Sequence, residues 1–330
     1  MSDIESHLLS LMTTPLISIL LNFTLEHEVH KKLAESPKTS QELSGILSLD
    51  ADKLNRALFA LTFNGIYTFN EQTYKWSNSP LTDALLDDHK CTLFRWNTCP
   101  YFYKKLAQKV SIIKDVQHKD ESCESVFVEA AENPDLLKLF QDAMTIVTHG
   151  NINEIVQAID LTSASRVLDI GGGEGGLICE LVKANHHITG GNLDREENRA
   201  SNEELIQSLG LGNKINFFSG NFFVTIPQGF DTLTIKHVLH DWNDEDCLKI
   251  LTNCRNALEI GNKLYIIDMV LNNTDPNRKL QRFFDVKMMI LGNAKERTEE
   301  NFENLLRQAG FRISSISKAR MDSVIEAVAI

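Results

Sequence analysis

From Ser165 onward the sequence alternates short apolar runs with helix-spaced segments, and the first run ends in a glycine loop, Gly171-Gly172-Gly173-Glu174-Gly175-Gly176. That alternation is the strongest constraint in the chain. Strands separated by helix-length segments pair in parallel, because each crossover has room to carry the chain back to the starting end of the sheet. Strands are expected at Val167–Ile170, His187–Leu193, Ile215–Ser219, Thr232–Ile235 and Lys263–Val270. Helices are expected from Leu177 through Val182 and near 196–209, 244–258 and 279–291. Thr298 is placed to cap a last helix, with Glu299 and Glu300 in its positive first turn and Gly310 just past its end. Two final strands, about 311–318 and 323–329, read as a hairpin on the sheet edge. The expected fold class is α/β, a doubly wound and mostly parallel sheet.

Residues 1–160 follow a different rule, with helical spacing almost throughout. Thr39–Leu47 reads as a short helix capped by Thr39 or Ser40, and after Ser48-Leu49-Asp50 a second helix runs to Asn64-Gly65, with apolar residues at Leu54, Leu58, Leu61 and Ile66. Ile66–Phe69 and Tyr74–Trp76, joined by a polar turn, complete a winged-helix pattern. Long helical stretches follow at about 92–116 and 135–160, the second opened by Pro134. The expected division is a winged-helix domain at 1–90, a helical linker at 91–160 and the α/β domain at 161–330.

A winged helix raises the question of DNA, and charge answers it. The chain carries a net charge of −12, and residues 1–90 hold seven Lys/Arg against twelve Asp/Glu. The second helix offers only Lys53 and Arg56 to a phosphate backbone. A nucleic-acid partner is not expected. Met12–Leu25 is uncharged and partly apolar, but Thr13, Thr14, Pro15, Ser18 and Asn22 interrupt it and no basic segment precedes it. It reads as a helix packed against another protein surface, not as a membrane segment. The six cysteines (91, 99, 123, 179, 247 and 254) contain no C-x-x-C pair and read as buried thiols of a reducing compartment. Cytoplasm is the expected location.

Gly171-x-Gly173-x-x-Gly176, with Asp194 at the end of the next strand, fits the dinucleotide fingerprint. By spacing alone this supports either a nicotinamide dehydrogenase or an enzyme of the adenosyl group. Asp169 and Glu174 favour the second. Both would face a pyrophosphate at a cost in like-charge repulsion, whereas S-adenosyl-L-methionine has no phosphate and carries an ammonium and a sulfonium.

Five blocks then occur in order: Val167–Gly173, Asn192-Leu193-Asp194-Arg195-Glu196, Gly220-Asn221-Phe222-Phe223, Lys236-His237-Val238-Leu239-His240-Asp241-Trp242 and Lys295-Glu296-Arg297-Thr298. On these the chain resembles the caffeate- and acetylserotonin-type small-molecule O-methyltransferases over nearly its whole length. The resemblance implies a Rossmann-like domain binding S-adenosyl-L-methionine behind an N-terminal winged-helix dimerisation domain, and a homodimer. It places Gly171 and Gly173 at the methionine part of the cofactor and Asp194 at the ribose, and Asp169, beside the loop, is counted with the cofactor-binding residues. Asn221 and Phe222 fall at the adenine and Lys236 near the cofactor. Many relatives have Asp at position 221; the Asn oxygen can still accept from an adenine amino group, without charge assistance.

The same resemblance makes His240 the general base, with Asp268 and Glu296 as its flanking acids. A histidine of ordinary pKa ~6.5 suits removal of a phenolic proton near neutrality, and a carboxylate on its other nitrogen fixes the tautomer. A metal site at His237 and His240 is set aside, because a continuing strand would point the two to opposite faces. Asp241 and Asp244 are assigned to orienting the turn and capping the helix at 244. Trp96, Phe102, Tyr103, Met144, Met288 and Met289 fall where relatives line the pocket of an aromatic acceptor, although residues of these types at helical spacing also build ordinary cores. A relative turned to hydroxylation, decarboxylation or pericyclic chemistry is the alternative; His240 with both acids argues against it.

Overall fold

The computed structural model describes residues 3–114, 132–292 and 294–330; Cys123 and the end of the 92–116 stretch lie outside them. The chain divides into two compact units, one built from residues up to Gln108 together with Asn133–Ile146, the other having Val147–Ile330 as its main body.

The first unit opens with α1 (Asp3–Glu26), longer at its start than the apolar run alone suggests. Among the described residues it is the one helix long and apolar enough to cross a bilayer by length and composition. Its C-terminal half is nevertheless packed: Ile17, Leu21 and Leu25 are buried in the unit's core. Asn22 Nδ2 donates to the Arg95 carbonyl at 2.8 Å and to Thr98 Oγ1 at 2.9 Å. After α2 (Val29–Glu35) come α3 (Ser40–Leu47) and α4 (Ala51–Thr62), then β1 (Tyr67–Asn70) and β2 (Lys75–Asn78), an antiparallel hairpin. Thr39 caps α3 in a reciprocal box with Glu42, and Asp50 caps α4. Trp76 is fully buried, its indole N–H donating to Ser40 Oγ at 3.0 Å and Asn55 Oδ1 at 3.2 Å, which ties the hairpin to both helices.

The expected long helices are broken, for local reasons. The stretch from 92 becomes α6 (Asp88–Thr98) and α7 (Pro100–Lys109), following the short α5 (Pro80–Ala84). Cys99 precedes a proline and is extended at ψ 152°, the conformation Pro100 imposes on its neighbour. The later stretch becomes α8 (Pro134–His149) and α9 (Ile152–Ala158), separated at Gly150-Asn151.

The second unit is the doubly wound sheet: β3 (Arg166–Ile170), β4 (Thr189–Asp194), β5 (Ile215–Ser219), β6 (Thr232–Lys236), β7 (Lys263–Asp268), β10 (Phe311–Ala319) and β11 (Asp322–Ala329), in the order β10-β11-β7-β6-β3-β4-β5. The five strands from β7 to β5 are parallel; β11 joins β7 antiparallel and β10 closes that edge, the expected hairpin. α10 (Gly176–Ala184) and α11 (Arg199–Ser208) belong to one apolar core with α9. α12 (Asp244–Ala257) and α14 (Glu299–Gln308) share the other. Thr298 caps α14 as expected. The strand expected to reach Val270 stops at Asp268; β8 (Val270–Leu271) leaves the sheet and pairs with β9 (Arg297–Thr298), on either side of α13 (Arg278–Gly292). The five described cysteines are buried free thiols.

His30 in α2 is fully buried and neither ring nitrogen finds a hydrogen bond among the described residues. Burial holds its pKa below the ordinary value. Below pH ~6.5 the unfolded chain therefore binds a proton that the folded chain resists, so stability falls as pH falls through that value. We expect His30→Leu to narrow the difference between the melting temperatures at pH 8 and pH 5.5; an undiminished difference assigns the acid sensitivity elsewhere.

Candidate active site

β3 and β6 meet where the strand order reverses, so the loops leaving their carboxyl ends open onto one crevice. The loop after β3 needs its glycines. Gly171 has φ +67°, and a Cβ there would stand 2.8 Å from Val238; at Gly172 a Cβ would overlap the side chains of Asp169 and Asn192. Asp194, at the end of β4, grips the same loop, its Oδ2 accepting from the Gly173 N–H at 2.7 Å. Its Oδ1 accepts from Arg195 N at 2.7 Å and Asn198 Nδ2 at 2.8 Å.

The two acids expected to line this loop part company. Glu174 is exposed, but Asp169 is 1% exposed and lies beneath the loop. The register of β3 on β6 sets Asp169 opposite Thr234, whose hydroxyl donates to Asp169 Oδ1 at 2.7 Å. Burial pushes the Asp169 carboxyl up to about 7 against that hydrogen bond.

Asn221 is exposed, and its Oδ1 accepts from the Phe223 N–H at 2.9 Å, closing an Asx turn after β5. Phe222 is half-buried, its ring 5.0 Å from Phe223 and edge-on to Trp242 at 6.3 Å. Lys236 ends β6; burial lowers its pKa, opposed by the charges of Asp322, Asp169 and Asp268. The glycine loop, held by Asp194 and carrying the exposed Glu174, fits a cationic ligand without phosphate.

His237 and His240 are not on opposite faces. β6 ends at Lys236, His237 takes a left-handed backbone at φ +51°, and Leu239–Asp241 is a single 3-10 turn. The two imidazoles therefore stack, with centroids 5.5 Å apart and planes 21° apart. They nonetheless serve separate partners. His237 Nε2 lies 3.0 Å from Asp322 Oδ1, Asn151 Nδ2 donates to Asp322 Oδ2 at 2.9 Å, and Lys236 Nζ donates to His237 Nδ1 at 3.2 Å. Burial and the Lys236 charge lower the pKa of His237. Burial alone would raise the Asp322 carboxyl, but His237 and Asn151 hold it well below the usual carboxylate range. Nothing local in the sequence pairs residue 237 with 322; strand β11 brings them together.

His240 Nδ1 faces both expected acids, Glu296 Oε1 at 3.1 Å and Asp268 Oδ1 at 3.5 Å. The acids are 5% and 1% exposed. The ligand-type atoms of the three groups lie within 4.8 Å of one another, but both carboxylates converge on one ring nitrogen, a geometry that suits the proton on Nδ1. Burial by itself lowers the His240 pKa; the charges of Asp268, Glu296 and Asp241 outweigh it and hold it well above the ordinary value. Burial raises the Asp268 carboxyl, and the His240 charge opposes the rise. β7 delivers Asp268 at its end, and the pairing of Val270 with Arg297 delivers Glu296 beside it. Asn243, not Asp244, caps α12, with Oδ1 accepting from Asp246 N at 3.0 Å. Asp244 is the first helical residue and pairs with Lys295 and Arg297.

Of the six expected acceptor contacts, Met288 and Met289 are half-buried on α13, in the unit that carries His240. Trp96, Phe102, Tyr103 and Met144 belong to the other unit. Trp96 and Phe102 are buried against each other edge-on at 4.6 Å, with Phe140 5.2 Å from Trp96, a core arrangement. Tyr103 and Met144 are half-buried.

Residues 103–312 match the family model of the O-methyltransferase domain. The chain belongs to the O-methyltransferase family. It is an S-adenosyl-L-methionine-dependent enzyme of that family. It is 28% identical over 298 residues to the mitomycin biosynthesis 6-O-methyltransferase of Streptomyces lavendulae, covering 89% of this chain and 85% of the relative. It is 33% identical over 320 residues to the (R,S)-reticuline 7-O-methyltransferase of Papaver somniferum, covering 90% and 85%. The solved structure of the mitomycin 7-O-methyltransferase superposes with a TM-score of 0.88 at 26% identity, over 99% of this chain and 98% of that one.

The Asp169 site gives a pH-dependent expectation for this O-methyltransferase. A carboxyl raised in the fold makes stability fall as pH rises from ~4 to about 7, because the folded state then holds a proton the unfolded state has lost. Thr234→Val removes the hydrogen bond to the ionised form. Urea unfolding should show a loss of roughly 1–3 kcal/mol at pH 8 and a smaller one at pH 5.

Proposed function

We propose that this O-methyltransferase methylates a phenolic or enolic hydroxyl of an aromatic small molecule, with His240 as general base and Asp268 and Glu296 acting through it. The observation that carries the reading is the convergence of two buried carboxylates on His240 Nδ1. With Nδ1–H donating to Glu296, Nε2, which lies 3.6 Å from Asp241 Oδ1, is the ring nitrogen that takes a proton from an acceptor. When bound, S-adenosyl-L-methionine supplies an electrophilic methyl group on a positively charged sulfur. Gly171, Gly173, Asp194, Asn221, Phe222 and Lys236 are the residues we assign to holding it. His240 Nε2 receives the hydroxyl proton, the O–H electron pair stays on the oxygen that is methylated, and the two carboxylates stabilise the imidazolium. Met288 and Met289 offer a soft, adaptable wall to a flat acceptor. Relatives named for mitomycin and reticuline support an acceptor of this kind.

We assign the first unit to homodimerisation. Ile4, Leu8, Leu11, Met12 and Leu16 leave α1 with an exposed apolar face on a single chain, and faces of that size mark protein contacts. Buried free thiols suit a reducing cytoplasm.

Incubation of a phenol panel with methyl-labelled S-adenosyl-L-methionine should place the label on oxygen; binding of the cofactor without transfer to any hydroxyl would overturn the reading. For an accepted phenol, His240→Ala should lower kcat by roughly 10²–10⁴-fold and leave cofactor affinity near wild type. Because the raised His240 must lose its resting proton before it can act, the rate should rise with pH through a value above the ordinary histidine range. Glu296→Gln should move that limb to lower pH, and a limb unmoved by the change would exclude Glu296 as its partner. A folded monomer in sedimentation at micromolar concentration would remove the dimer.

A further inference from the structure

We propose that Arg297 is a positioning residue for the base: its guanidinium clamps the backbone on both sides of His240 and thereby fixes the imidazole against Glu296 and Asp268. The proposal rests on His240 being the base, and the test below separates the two.

Arg297 is 0% exposed, a charge held entirely inside the protein. Burying a guanidinium is costly unless every donor is used, and its donors are used in one direction. Nη1 donates to the Leu239 carbonyl at 2.7 Å and Nη2 to the Trp242 carbonyl at 2.7 Å. Nε and Nη2 also donate to Asp244 Oδ1, at 3.0 and 2.8 Å. Leu239 and Trp242 bracket the 3-10 turn that carries His240. The carbonyl between them is also taken: His240 O accepts from Lys295 N at 3.1 Å. Lys295 Nζ, for its part, donates to Asp244 Oδ2 at 2.6 Å.

The segment Lys295-Glu296-Arg297 thus grips one turn at every level. Side chains of an extended segment alternate between two sides. Glu296 reaches the imidazole of His240, while the next residue reaches the backbone beneath it. A loose turn would let the ring drift from carboxylates that have no freedom to follow, since Asp268 ends a central strand and Glu296 N is itself held by Asp285 Oδ1 at 3.1 Å. A planar fork can bridge two carbonyls and a carboxylate at once, and a lysine ammonium on a flexible stem cannot.

The test reads His240 directly and needs no acceptor. In full-length protein labelled at histidine carbons, the His240 resonance is assigned by its loss in His240→Gln, and its titration is followed by NMR in wild type, Glu296→Gln, Arg297→Met and Arg297→Lys. We expect a midpoint above the ordinary histidine value in wild type, and a fall in Arg297→Lys, which keeps the positive charge and loses the planar fork, in the same direction as in Glu296→Gln. In Arg297→Met the lost charge itself favours the imidazolium, so its midpoint should lie at or above that of Arg297→Lys. A His240 midpoint unchanged in the Arg297 variants, with only the melting temperature lowered, overturns the proposal and leaves Arg297 a merely stabilising residue. A wild-type midpoint at or below the ordinary value removes the coupling of His240 to the two carboxylates and with it this proposal, whereas a His240→Gln enzyme that methylates an accepted phenol at near wild-type rate overturns His240 as the base. In an accepted phenol assay the Arg297 variants should lose kcat while the KM for S-adenosyl-L-methionine holds; equal damage to both would also count against positioning.

Discussion

Two carboxylates sealed from water are costly to ionise side by side without a cation against them, and in this protein both face the imidazole of His240. Asp268 is 1% exposed and Glu296 5% exposed, and at such depth an unpaired carboxylate would take up a proton. His240 supplies the opposite charge to both through a single nitrogen. The acids favour the protonated imidazole and hold it in one orientation, and the His240 charge opposes the rise that burial gives the Asp268 carboxyl. In the role proposed for it, His240 acquires its charge where two carboxylates already stabilise that charge.

Much of the surrounding structure serves that contact. The reversal of strand order brings the glycine loop after β3 and the turn after β6 to the mouth of one crevice. β7 ends at Asp268, and the chain leaves the sheet for two residues, runs through α13 and returns as β9 to pair with β8. That excursion puts Glu296 beside Asp268. The stacked His237, tied to Asp322 and through it to Asn151, extends the polar network to the edge hairpin. The acids in this region are thus divided between two histidines, each with its own carboxylate partners.

Several local readings of the sequence held because their causes are local. Thr39 and Glu42 form a capping box three residues apart, and Thr298 caps its helix through the next turn, whatever the rest of the chain does. Proline acts the same way: Cys99-Pro100 breaks the helix expected to run through it, and the cause is again local. The placement of His237 failed for a different reason. A continuing strand would set His237 and His240 on opposite faces, whereas a left-handed residue and a 3-10 turn end it after Lys236. No pattern of side-chain hydrophobicity reports a single positive φ at a histidine. The burial of Asp169 likewise follows from its register against Thr234, not from the loop spacing that singled it out.

The family resemblance named the three ionisable residues that meet at the site; the sequence by itself determined the alternation that yields a parallel sheet and the glycines that the β3 loop cannot do without. Those are properties of single segments, set by periodicity, steric room and side-chain chemistry. The tertiary structure decided that His240, Asp268 and Glu296 share one buried volume, that His237 turns to Asp322, and that Arg297 is spent on the backbone of the His240 turn. Each is a contact between residues far apart in the chain. Burial and distance, which fix whether a carboxylate is a solvated charge or the partner of a base, exist only once the strands have paired.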